Sequence, residues 1–225
     1  MSNLRTLRPL RTLFLGAPGA GKGTQTNRLL RDFPHIASLS SGDTLRKHVK
    51  ENTPIGQKVS SILEKGGFVP DDTMVSLIRA ELEANKWLNP QASWVLDGFP
   101  RTAAQAPPLD ETLRQHDAML NIVVQLVVPE TVILDRIEKR WVVMYNLDFN
   151  PPQVPGKDDV TGEPLSKRPD DNADVFKERL KAYHELTTPL LEYYDKQGLL
   201  HSVHGETSDI IYPKLKQLVI DKFAS

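Results

Sequence analysis

The chain has 225 residues, 28 Lys and Arg against 29 Asp and Glu for a net charge of −1, and no cysteine. That length suits one α/β domain with small insertions and a full core. Balanced charge excludes attraction to a nucleic acid polymer by bulk electrostatics, and the missing cysteine excludes disulfides, thiol nucleophiles and Cys-ligated zinc. No apolar run approaches the ~18 residues of a membrane span. The partners expected are therefore small molecules rather than nucleic acid or membrane, and the chain is expected to be a monomer.

Met1 to Arg11 holds Arg5, Arg8 and Arg11 and no acid. This is the composition of a mitochondrial targeting segment, but it is short and Pro9 interrupts it, so a solvated basic tail fits as well. A matrix location and a cytoplasmic one both stay open at this point. Arg11-Thr12-Leu13-Phe14-Leu15 is a short apolar run suited to a buried strand. After it comes Gly16-Ala17-Pro18-Gly19-Ala20-Gly21-Lys22-Gly23-Thr24, and then Thr24 to Arg31, rich in helix formers. Glycines between a strand and a helix let successive backbone N–H groups turn inward on phosphate oxygens, the helix start adds its positive end, and Lys22 reaches the outer phosphates. A nucleoside triphosphate is the ligand expected. Gly23 follows the lysine where the general pattern has a hydroxyl residue, which arrives one place later as Thr24.

Further along, Trp94 to Leu96, Leu120 to Val128 and Leu199 to Val203 also read as buried strands, with helix-period segments between them. The alternation predicts a parallel sheet covered by helices on both faces. Pro213 to Phe223 is predicted as the last helix, with Leu215, Leu218, Val219 and Lys222 at helical spacing. Two segments exceed a minimal core: about 40–69, between the first helix and the next strand, and about 139–171, rich in Pro, Gly and Asp. Both are expected to be small functional insertions. His201 and His204, three apart in a strand, point to opposite faces and read as ordinary polar positions.

Asp97-Gly98-Phe99-Pro100-Arg101-Thr102 follows the strand Trp94-Val95-Leu96, so its side chains emerge at the carboxyl end of the sheet, where open α/β folds bind ligands. Asp97 there either orients water on a Mg²⁺ ion or caps the next helix. Arg101 and Gln105, four apart, can face one nucleotide, with a fork for phosphate and an amide for a base edge. Arg136 and Arg140 share a helix face, an unfavourable pairing without an anion between them. Arg46, Arg168 and Arg179 also fall beside predicted strand ends and insert boundaries. Arg179 lies in a helix whose stripe runs through Phe176, Leu180, Tyr183, Thr187, Leu190 and Tyr194.

In that order, Gly16 to Gln25 (GAPGAGKGTQ), Ser41 to Arg46 (SGDTLR), Asp97 to Thr102 (DGFPRT) and Arg168 to Asp171 resemble the adenylate kinase family over nearly the whole chain. The long insert and the tail from Gly205 to Pro213 are most similar to its mitochondrial, GTP-using branch. The resemblance implies an α/β P-loop NTPase fold of three layers, with a parallel five-stranded sheet, a nucleoside-monophosphate insert at 40–69 and a lid at 139–171. It implies that Gly19, Ala20, Gly21, Lys22, Gly23 and Thr24 cradle the triphosphate. Arg136 and Arg140 would lie over the donor, and Met144, Tyr145 and the backbone near Thr207 would border its base. Ser41, Arg46, the backbone of Gly67, Phe68 and Val69, the run Gly98, Phe99, Pro100 and Arg101, and Gln105 would hold AMP. Arg168 and Arg179 would bridge the phosphates of both nucleotides. Lys22, Arg101, Arg140, Arg168 and Arg179 would then carry catalysis, with Mg²⁺ held through water by Asp97.

The implied reaction moves the γ-phosphoryl of Mg-GTP or Mg-ATP onto AMP. Structural zinc is not expected, because the insert lacks the four ligand residues some relatives use. Between Trp141-Val142 and Tyr145-Asn146 only Val143-Met144 remain of a hairpin that is longer in the family pattern. A kinase of low turnover is therefore one alternative. A GTPase-like binding module is another, although its Asn-Lys-x-Asp base motif is matched only by Asn85-Lys86-Trp87-Leu88, without the aspartate.

Overall fold

The computed structural model describes residues 7–65, 67–138, 153–157, 164 and 173–224, with the backbone alone for 135–138 and 173–174. In chain order the elements are β1 (Arg11–Leu15), α1 (Lys22–Asp32), β2 (Ala37–Ser40), α2 (Ser41–Lys50), α3 (Pro54–Glu64), α4 (Asp71–Ala84), β3 (Trp94–Asp97) and a 3₁₀ turn (Ala103–Gln105). There follow α5 (Ala106–Arg114), β4 (Ile122–Val127), α6 (Glu130–Glu138), α7 (Ala173–Ala182), a π-helical turn (Tyr183–Thr187), α8 (Thr188–Asp195), β5 (Leu200–His204) and α9 (Ser208–Phe223).

Period-two alternation makes the sheet two-faced. Phe14, Val95, Ile122, Val124 and Leu126 enter one core with residues of α9 such as Leu215 and Val219. Leu13, Leu15, Trp94, Leu96 and Val123 enter the other, against α4, α5 and α8. Because helices cover both faces, the inner strands β1, β3 and β4 read as nearly continuous apolar runs. All pairings are parallel, in the order β2-β3-β1-β4-β5. Leu13 pairs with both Leu96 and Val123, which puts β1 at the centre. The loops after β1 and β3 therefore leave the same rim of the sheet side by side, the position that open parallel sheets use for ligands.

Two sequence expectations are corrected. The 40–69 segment does not follow the first helix directly: β2 intervenes, pairing Leu39 with Leu96. Of its four residues only Leu39 is buried. An edge strand with a single neighbour needs no apolar run, so periodicity did not reveal it. Helix α9 begins at Ser208 rather than Pro213, because the Thr207 Oγ1 accepts from the Ile210 N–H (3.2 Å) and caps it. Pro213 is carried inside the helix. Further along the helix, Tyr212 Oη (2.6 Å) and Lys216 Nζ (2.7 Å) both donate to Asp32 Oδ2, tying α9 to α1. These bonds hold the Asp32 carboxyl below its ordinary range.

The basic N-terminal run is domain structure from Leu7 onward, which corrects the solvated-tail reading for those residues. The Arg8 amide and guanidinium donate to Phe223 O (2.8 Å) and Lys222 O (2.6 Å) at the end of α9. Arg11 donates to Met119 O (2.7 Å) and Pro90 O (2.8 Å). Met1 to Thr6 lie outside the described residues.

One buried charge gives the fold a pH dependence. Asp110 of α5 is 3% exposed; its Oδ2 accepts from Tyr193 Oη (2.8 Å), while Oδ1 is buried without a hydrogen bond. Burial raises the Asp110 pKa against the opposing pull of those hydrogen bonds. The folded state thus holds this proton more tightly than the unfolded chain. The stability so gained is complete below the ordinary aspartate pKa and is lost as pH rises through the folded value. Asp110→Asn keeps an acceptor for Tyr193 and removes the buried charge. It is expected to stabilise the protein by on the order of 1 kcal/mol at about pH 8 and by nothing near pH 3, measured as urea midpoints across pH.

Candidate active site

The loop between β1 and α1 is shaped by its glycines. Gly21 is the N-cap of α1 with φ 91° and ψ 21°, a left-handed conformation that a side chain would strain. It aims the first N–H groups of α1 toward the loop's hollow. Lys22 folds over that hollow, its Nζ donating to Gly16 O (2.8 Å) and Ala17 O (3.2 Å). An ammonium ion is thus held at the helix head, where phosphate oxygens would replace carbonyls as its partners. Gly23 and Thr24 are exposed on the first turn, while Ala20 is buried at 1%.

The neighbouring loop, after β3, supplies the facing wall. Gly98 has φ 78°, and a Cβ on it would stand 3.0 Å from Ser41 Oγ and 3.1 Å from Arg101 Nη2. Only glycine lets both side chains close on this turn. The Ser41 Oγ donates to Gly98 O (2.7 Å), and so does Arg101 Nε (2.7 Å). The guanidinium carbon of Arg101 stands 5.9 Å from the centre of the Phe68 ring, a cation–π arrangement. The Arg101 main chain is fixed as well: its N–H donates to Gln105 Oε1 (2.7 Å) and its carbonyl accepts from Thr187 Oγ1 (2.8 Å).

Lys22, Arg101, Arg179, Gly98, Pro100 and Phe68 line one cleft with the start of the β1 loop. It therefore brings together three of the predicted cations from three separate parts of the chain. Phe99 and Val69 are core residues beneath it, at 1% and 6% exposure. Gly67 N donates to Ile62 O (2.9 Å), which fixes the approach to Phe68. Asp97, at the end of β3, places Oδ2 3.6 Å from where a Cβ would stand on Gly23. Its carboxylate thus lies against the first turn of α1 rather than capping the next helix, whose 3₁₀ start is capped by Thr102.

Several other described residues predicted for the site do not line this cleft. Arg46 pairs with Asp43 along α2 and does not line the cleft. Thr207 is the N-cap of α9. Gln105 is 2% exposed, and its Nε2 donates to Asp71 Oδ1 (2.7 Å). With both ends of its amide engaged, it braces the Arg101 loop against α4, and reaching a base would require exchanging those bonds. Arg136 sits in α6 with its side chain outside the described set, and Arg140, Met144, Tyr145 and Arg168 lie outside the described residues altogether.

Three residues escaped sequence reasoning. Asp71 accepts from both Thr102 Oγ1 (3.0 Å) and Gln105 Nε2. Tyr183 and Thr187 line the cleft although their spacing reads as an apolar packing stripe. The acidic start Asp71-Asp72 signals a helix N-terminus, but no local signal announces partners some thirty residues distant.

A glycine-turned loop at the head of a helix, beside the central strand of a parallel sheet and faced by cations, defines a P-loop nucleotide-binding protein. The adenylate kinase family model matches residues 14–199, and the chain belongs to that family. Its relatives include the mitochondrial GTP:AMP phosphotransferase of Saccharomyces cerevisiae, 55% identical over 222 residues covering 96% of this chain and 95% of that one. The adenylate kinase of Laccaria bicolor is 39% identical over 219 residues, covering 95% of this chain and 84% of its own. Adenylate kinase 4 of Arabidopsis thaliana is 41% identical over 201 residues, covering 87% and 80%. The chain is thus a nucleoside monophosphate kinase, an enzyme that transfers phosphoryl groups between nucleotides.

Proposed function

We propose that this chain transfers the γ-phosphoryl group of GTP to AMP, giving GDP and ADP, and that it works in the mitochondrion. The observation that carries the reading is the single cleft shared by Lys22, Arg101 and Arg179 at the rim between the β1 and β3 loops. The likeness to a relative named as a mitochondrial GTP:AMP phosphotransferase supports GTP as donor and the location.

In this reading the loop Gly19 to Thr24 holds the donor triphosphate through backbone N–H groups and the helix end. The run Gly98 to Arg101, with Ser41, Arg46, Gln105 and the Gly67 to Val69 backbone, holds AMP. An oxygen of the AMP phosphate attacks the γ-phosphorus in line, and the bond from that phosphorus to the β-γ bridging oxygen breaks. AMP phosphate has a second pKa of about 6, so it arrives ionised and requires no general base. Lys22 and Arg179, with Arg140 and Arg168, neutralise charge on the transferring group, while Arg101 fixes the acceptor.

The carboxylate of Asp97 beside Gly23 suits a divalent cation held through water, and Thr24 stands on the same first turn of α1. Mg²⁺ there would neutralise donor phosphate oxygens. Water is the competing acceptor, and residues 40–69 and 139–171 are assigned to close over AMP and donor before transfer.

ADP formation from AMP, measured separately with GTP and with ATP, tests the reading. Faster turnover with GTP is expected. Equal or faster turnover with ATP would reassign the donor, and no ADP with either would overturn the whole proposal.

A further inference from the structure

The residues assigned to the acceptor and to the transferring phosphate sit on different parts of the chain, and one buried hydroxyl joins them. Thr187 is 4% exposed, and its Oγ1 donates to the main-chain oxygen of Arg101 at 2.8 Å. It belongs to the π-helical turn Tyr183–Thr187, which interrupts the helical run carrying Arg179. An α-helix turns about 100° per residue, so in a regular helix Thr187 would stand about 80° around the axis from Arg179. The wider i→i+5 turn of the π segment narrows that offset. Arg179, Tyr183 and Thr187 accordingly all line the same cleft.

We propose that Thr187 is a positioning residue for phosphoryl transfer, its hydroxyl fastening the Arg101 loop to the helix of Arg179 so that the two guanidinium groups keep a fixed separation. The inference rests on the phosphoryl-transfer reading above. Arg101 lies outside regular structure, and two side chains reach its main chain: Gln105 Oε1 accepts from its N–H and Thr187 Oγ1 donates to its carbonyl. Removing the second frees that carbonyl to rotate and carries the guanidinium with it. An error of about an ångström in such a group lowers the rate by up to ~10²-fold. The π turn has the role such turns commonly have, aiming side chains at a site at some cost in helix regularity.

The test compares wild type, Thr187→Val and Thr187→Ser for ADP formation with AMP and with donor varied in turn. Valine keeps the volume and loses the hydroxyl; serine keeps the hydroxyl. Thr187→Val is expected to lower kcat about 10-fold and raise the KM for AMP about as much, leaving the KM for the donor and the melting temperature nearly unchanged. Thr187→Ser is expected to restore both constants. Thr187→Ala, which removes any crowding by the added methyl, is held to the same outcomes as valine. Unchanged constants in the hydroxyl-less variants, no rescue by serine, or both KM values rising in step with a lowered melting temperature would overturn the role. Wild type that makes no ADP would reject the phosphoryl-transfer reading itself, whereas active wild type with an indifferent Thr187→Val rejects only the role of Thr187.

Discussion

Lys22→Ala is expected to lower kcat by about 10³-fold or more, equivalent to about 4 kcal/mol of lost transition-state stabilisation. The lysine is placed by the loop's own carbonyls, its ammonium resting on Gly16 O and Ala17 O at the head of α1. Exchanging two carbonyls for phosphate oxygens replaces neutral acceptors with charged ones, which adds a direct Coulomb attraction to the ammonium. The gain grows further as negative charge shifts toward the bridging oxygen during transfer, so the loss falls on kcat more than on binding. The KM for the donor should rise only modestly, because the backbone N–H groups and the end of α1 stay in the variant. Stability should fall by no more than about 2 kcal/mol, since these two part-buried bonds are worth about 1 kcal/mol each. Coupled assays of ADP formation, with a melting curve beside them, check both parts. A variant within tenfold of wild-type kcat would remove Lys22 from the mechanism.

How much of this site the sequence disclosed depended on how local the cause was. The β1 loop was legible because strand, glycines, lysine and helix start are contiguous, and Gly21 does adopt the left-handed backbone that such a turn requires. DGFPRT was placed at the rim by the strand before it, and Gly98 and Arg101 line the cleft there. What local pattern did not carry was pairing across distance. Gln105 stands four residues after Arg101, a helical spacing that suggested a base contact. Its amide also bridges Arg101 N and Asp71 Oδ1, a partner set by how α4 packs beside the 3₁₀ turn. Likewise the spacing of Tyr183 and Thr187 was read with an α-helical period, and a π turn changes that period without a residue-level signature. Strand β2 was missed for a third reason: at the sheet edge it buries one side chain, so it left no hydrophobic pattern to detect.

Arg101→Ala carries the second large effect, an expected loss of 10²- to 10³-fold in kcat/KM for AMP, roughly 3–4 kcal/mol. The side chain is held by the protein's own groups: Nε on Gly98 O at 2.7 Å, the guanidinium near the Phe68 ring, the main chain bonded at its N–H and its carbonyl. Such a group meets an anion with little rotamer entropy left to lose, so its removal costs orientation as well as charge. Arg101→Lys should recover little of the loss. An ammonium has no planar fork to bind Gly98 O and a phosphate together, and it is a point charge where a bidentate contact is required. Because Arg101 lies on the acceptor side of the cleft, the defect should appear in kcat and in the KM for AMP, while donor affinity stays near wild type. That asymmetry separates acceptor positioning from a general loss of positive field, which would weaken both nucleotides together. Rates near wild type in the alanine variant, or a lysine variant with full activity, would show that the acceptor phosphate is held elsewhere.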